Sequence, residues 1–81
     1  MKTFTKLVEN FLQGNGVIEQ VKKYSIVIKF NENIELPKLH KSFTNFIGKG
    51  NLLTNNFTFD YTKAESKNYI TLYRGVFVTS M

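Results

Sequence analysis

His40 is the only histidine of the 81 residues, and the chain has no cysteine. Any proton-transfer or metal chemistry would have to start there. At helical spacing His40 falls with Leu36, Phe43 and Ile47 on the edge of an apolar stripe, the place of a half-buried structural histidine. Asp60, Glu65, Glu32 and Glu35 lie in turns or on a strand, without paired spacing, so no nucleophile–base pair assembles around His40. One histidine without cysteine does not make a usual zinc site. Gly48-Lys49-Gly50 follows a helix and lacks the G-x-x-x-x-G-K-[ST] frame of a phosphate-binding loop. The expectation is a chain with no catalytic residues, no metal, no cofactor and no small-molecule substrate.

The residues suited to binding are aromatic and basic. Eight phenylalanines and four tyrosines crowd the chain, most densely in NNFTFDYTKAESKNYITLYRGVFV, residues 55–78. Tyrosine is enriched at interfaces because it offers rigid area with a hydrogen-bonding tip. The bland alternative is that tyrosine and threonine simply suit half-exposed strands. Lys38, Lys41 and Lys49 form a basic stripe on a predicted helix. With Lys22, Lys23 and Arg74 they are the candidate phosphate contacts, although a solvated helix face is the commoner reason for such a stripe. Arg74-Gly75-Val76-Phe77-Val78 falls one residue and one aromatic short of the RNP1 motif of RNA-recognition domains. The order of elements also differs from that of those domains, so the family is not indicated.

Several elements must position these residues. Phe4, Leu7, Val8, Phe11 and Leu12 recur at helical spacing and predict a helix from Thr3 to Gln13, ended by Gly14. Tyr24, Ile26, Ile28 and Phe30 alternate with Ser25, Val27 and Lys29, which predicts a strand. Val17 to Val21 reads as a shorter strand before it, despite the poor turn chemistry of Lys22-Lys23. A second helix is predicted from Leu36 to Ile47, with Pro37 in its first turn and Gly48 at its end. Its apolar stripe is Leu39, Phe43, Phe46 and Ile47. A hairpin follows, with strands from about Leu53 to Tyr61 and from Tyr69 to Val78 around a loop at 62–68. Helix–strand–strand occurs twice, over stretches too short to mark a duplication.

The hairpin register decides which aromatics are core. With Tyr61 opposite Tyr69 both faces are mixed. With Tyr61 opposite Ile70, Phe57, Phe59, Tyr61, Ile70, Leu72, Val76 and Val78 make one apolar face. The second register separates apolar from polar better and is the one expected. Arg74 is its misfit, and Gly75 marks a candidate bulge. The expected fold is α+β, a two-layer sandwich in the order α-β-β-α-β-β. Two amphipathic helices cover one face of a three- or four-stranded, mainly antiparallel sheet. The other face would show Ser25, Val27, Lys29, Thr58, Tyr69, Thr71, Tyr73 and Phe77 to solvent. Val27, Lys29, Tyr69, Thr71, Tyr73 and Phe77 are therefore the candidate partner-binding residues.

Composition bounds the rest. A chain of this length is expected to form one domain, residues 1–81, and to bury about 60–65% of its unfolded surface. Eleven basic against six acidic residues give a net charge of +5, positive in both halves. The cations are lysines apart from Arg74, which argues against base readout by the arginine fork. No stretch approaches the roughly 18 apolar residues of a membrane span, and Lys6 and Glu9 interrupt any signal-peptide core. A cytoplasmic location is expected. The expected function is non-catalytic docking of a protein partner through the open sheet face or a strand edge, with a homodimer through that face also expected. Size and a Lys-, Asn- and Ile-rich composition suit a phage or mobile-element inhibitor or accessory factor. The alternative is an RNA- or single-stranded-DNA-binding module, stacking bases on Tyr69, Tyr73 and Phe77.

Overall fold

A computed structural model describes residues 2–48 and 57–74 of the chain. The first apolar stripe folds as helix α1, Lys2–Leu12. It buries Phe4, Val8 and Leu12, with Leu7 and Phe11 packed beside them. Its end is left-handed at Gln13 (φ 45°) and Gly14 (φ 85°). The Asn15 N–H donates to the Leu12 carbonyl at 2.8 Å across this turn. Gly14 takes that conformation without a Cβ penalty, as the sequence predicts.

The chain continues through β1 (Gly16–Val21), β2 (Ser25–Phe30), α2 (Leu36–Ile47), β3 (Phe57–Lys63) and β4 (Ser66–Arg74). The strands form one antiparallel sheet in the order β1-β2-β4-β3. The short strand before Lys22-Lys23 is real, and its hairpin closes with the Lys22 N–H on the Ser25 carbonyl at 2.8 Å. Tyr24 belongs to that turn rather than to β2, and it is 55% exposed.

Tyr61 lies opposite Ile70, Phe59 opposite Leu72 and Phe57 opposite Arg74. This is the register chosen by separating apolar from polar residues. The hairpin itself is tighter than predicted. The expected loop at 62–68 is mostly strand, with only Ala64 and Glu65 in the turn. No Asn-Gly or Asp-Gly pair marks that turn, so it carries no local signal in the residue types. The ladder shifts between Tyr61 and Lys63, and β1 shifts against β2 between Ile18 and Gln20. The expected bulge at Gly75, the start of β3 near Leu53 and the end of β4 near Val78 lie outside the described residues.

Both helices pack on the same face of the sheet. Phe43 of α2 meets Phe11 of α1 and Phe57 and Phe59 of β3 edge-on, with centroids 4.9, 4.9 and 5.6 Å apart. Ile26, Ile28, Ile70 and Leu72 of the two central strands are at most 1% exposed beneath them. Edge-to-face rings add to simple area burial, and α2 owes its seat to this cluster. The segment before α2 is tied to the sheet at Ile34, whose N–H donates to the Lys67 carbonyl (2.9 Å) and whose carbonyl accepts from the Tyr61 hydroxyl (2.8 Å). The Asn68 amide of β4 donates to the carbonyl of Phe30 at the end of β2 (3.3 Å).

In the order β1-β2-β4-β3 the two α-β-β stretches meet at β2 and β4, each with its first strand at an edge. The apolar set Phe4, Val8, Phe11, Leu12 in α1 is matched in spacing by Leu39, Phe43, Phe46, Ile47 in α2. The repetition faintly visible in the sequence thus has a spatial counterpart in the arrangement of the sheet.

Candidate functional site

The sheet face turned away from the helices gathers most of the candidate partner-binding residues. Pairing across the strands arranges them in rows. Val17, Lys29 and Tyr69 stand side by side on β1, β2 and β4. Gln20, Val27, Thr71 and Asp60 form the next row across all four strands, and Ser25, Tyr73 and Thr58 the third. No helix among the described residues covers this face.

The face is less open than the sequence suggests. Ser25, Val27 and Thr71, expected in solvent, are buried at 8%, 7% and 6% exposure. Thr71 lies between Tyr69 and Tyr73 along β4 and beside Val27, so short side chains of the central strands stand among taller ones. Direct contact with a partner therefore falls to the rim. Lys29, Thr58, Asp60 and Thr62 are exposed, and Tyr69 and Tyr73 are half-buried. Val17, on the same face at the β1 edge, is 55% exposed. Phe77 lies outside the described residues. The Thr62 and Thr71 hydroxyls share a hydrogen bond of 2.7 Å, which fixes part of the surface.

One cluster was not legible in the sequence. The Lys63 ammonium lies 4.4 Å from the Tyr69 ring centroid, and the Lys29 ammonium lies 5.7 Å from it. Both are within cation–π range, a contact worth about 0.5–1 kcal/mol at exposed positions. Simple alternation would place Lys63 with Tyr61 on the helix side. The ladder shift between Tyr61 and Lys63 breaks that alternation, so the side chain reaches Tyr69 on the far side. Only the shift reveals this contact, and nothing in the residue types announces it.

The two sheet edges differ. On β3 the Tyr61 N–H is bonded to the Asp60 carboxylate at 2.8 Å, so one edge donor is already occupied. On β1 the antiparallel pattern turns the backbone groups of Gly16, Ile18 and Val21 away from β2. Val21 is also 46% exposed. The register shift at Glu19 interrupts that edge, a common way of blunting a strand against unwanted pairing.

The candidate phosphate contacts do not converge. Lys22 and Lys23 sit in the β1–β2 turn at one edge of the sheet, with the Lys23 ammonium 5.4 Å from the Tyr24 ring. Lys38 and Lys41 lie on α2, which packs at the opposite edge against β3. Lys38 is also 3.7 Å from Glu35, an exposed pair of small energetic weight. Arg74 is on the helix side of the sheet with its guanidinium over Phe4 at 5.8 Å, so the apparent misfit of the apolar face is stacked on a core ring. Lys49 lies outside the described residues.

His40 is exposed, not half-buried as expected, and stacks on Phe57 (centroids 4.6 Å, interplanar 26°). Its recess is lined by Leu36, Pro37, Phe57, Thr58 and Phe59, with no acidic residue among the described ones. A larger cleft of about 550 Å³ separates the end of α1 from the start of α2 and is lined by Phe11, Asn15, Phe30, Asn31, Glu35 and Lys38 among others. No group of three or more His, Asp or Glu side chains is placed to hold a metal among the described residues. No helix there is long and apolar enough to cross a membrane. No family model, no curated protein and no solved structure matches the chain.

Proposed function

We propose that this chain is a non-catalytic binding protein that docks a protein partner through the helix-free face of its sheet, together with the adjoining β1 edge. The observation that carries the reading is the position of Val17, Lys29, Tyr69, Tyr73 and Thr58 on one face, over which no helix of the described residues lies. Half-buried tyrosines beside exposed polar groups match the anatomy of a protein interface, where aromatic residues anchor and a polar rim surrounds them. The outward backbone groups of Gly16 and Ile18, before the shift at Glu19, would add a short stretch of strand pairing to that contact. A small, basic chain of this kind suits an inhibitor or accessory factor that occupies another protein's surface.

The test is capture of partners from cell lysate on the immobilised protein, with and without nuclease. Docking of a protein predicts a bound chain that survives nuclease and is lost on Val17→Asp or Thr58→Lys. Loss of all bound material on nuclease treatment would contradict it. That outcome would favour the second reading, a nucleic-acid-binding module, which the lysines flanking Tyr69 make worth testing. In that case affinity falls steeply with salt, as counterion release requires.

A further inference from the structure

We infer that the partner presents an acidic protein segment, and that Lys29 and Lys63, aligned on the two sides of β4 around Tyr69, are its carboxylate anchor. This rests on the docking surface proposed above and names the chemistry that surface would select. The two lysines come from different strands, β2 and β3, and meet one ring on β4 between them. Among the described residues the one ion pair joins Lys38 to Glu35, so neither Lys29 nor Lys63 is neutralised there. Two uncompensated cations held against one tyrosine ring make a local positive site. Charge complementarity of this kind selects partners and speeds their encounter.

The same face argues against two other occupants. A phosphodiester chain needs cations along its track, but the next row of the face holds Gln20, Val27, Thr71 and the exposed carboxylate of Asp60. Of the other candidate phosphate contacts among the described residues, Lys22 and Lys23 lie on the hairpin turn, Lys38 and Lys41 on α2 and Arg74 on the helix side. A second copy of this chain docked face to face would bring the same uncompensated cations together, and like charges across an interface are costly. An acidic segment meets the Lys29–Tyr69–Lys63 row and continues over Val17 without either conflict.

Binding of a fluorescein-labelled poly-glutamate peptide, followed by anisotropy at low salt, tests this with the full chain. A labelled poly-dT oligonucleotide of equal charge serves as the competing probe. Lys29→Glu and Lys63→Glu are each expected to weaken peptide binding several-fold, up to about tenfold. Lys23→Glu and Lys41→Glu make the same change in net charge elsewhere and are expected to have a smaller effect. Lys63→Arg should retain binding, because it keeps the charge over the ring. All four lysines are exposed, and the far-ultraviolet circular dichroism of each variant confirms folding. Equal losses in all four reversal variants, no peptide binding at all, or preference for the oligonucleotide would each overturn the assignment. A photo-cross-linking residue at Thr58 separates this from the docking surface itself. If it traps a protein while poly-glutamate fails, the surface stands and the acidic assignment falls. If it traps none, both fall.

Discussion

Gly16 is the residue whose identity the packing dictates most directly. A Cβ there would lie 2.9 Å from the Lys29 carbonyl oxygen and 3.1 Å from the Phe30 Cα, both backbone atoms of β2. Neither can swing aside as a flexible side chain would. Gly16→Ala should therefore destabilise the protein by about 1–3 kcal/mol, the usual cost of overpacking. The expected sign is a lower urea midpoint with an unchanged slope. Thr44 offers the opposite case. Its hydroxyl is buried on α2 without a hydrogen-bond partner, and a desolvated unpaired polar group costs free energy. Thr44→Val should raise stability by up to about 1 kcal/mol, because both residues are β-branched and only the unpaired hydroxyl is removed. A fall in the urea midpoint would contradict that reading. Tyr61→Phe should cost about 0.5–1.5 kcal/mol, because it removes the donor to the Ile34 carbonyl.

At the scale of elements, α2 is held on the sheet by rings. Phe43→Ala removes the ring shared by Phe11, Phe57 and Phe59 and should cost about 3–5 kcal/mol. A domain of this length has a total stability on the order of 4–12 kcal/mol. The variant should therefore lose between about a quarter and all of its margin, read as a large fall in the thermal midpoint. The helix stripes and the hairpin register that build this layer were legible in the sequence. Both follow from one rule, that a buried face must be apolar at the period of its element, and a one-residue slip at Tyr61 and Ile70 would violate it. The departures were not legible. The ladder shifts after Ile18 and Tyr61 change which way a side chain points without changing composition, so Lys63 could not be assigned to Tyr69 in advance. The burial of Val27 and Thr71 escaped for a similar reason, since alternation gives the face of a residue but not the height of its neighbours. Arg74 stands out in the sequence as an anomaly on the apolar face, but the ring of Phe4 that accommodates it belongs to a distant helix.

Across the whole molecule, the two α-β-β halves place both helices on one side and leave a continuous sheet surface on the other. The positive charge is spread over several regions, with Lys22 and Lys23 at one edge and Lys38 and Lys41 at the other. Such a spread raises solubility and general attraction to anions without forming one phosphate track. The half-buried Tyr69 and Tyr73, with Val17 and Lys29 beside them, are what gives the helix-free face its particular character. Site-specific photo-cross-linking compares that face with the helix layer most directly. A cross-linker at Thr58, exposed on the far face, should trap a protein that survives nuclease treatment, while one at Ser42, exposed on α2, should trap none. Adducts from Ser42 with none from Thr58 would place the partner on the helices and contradict docking through the sheet.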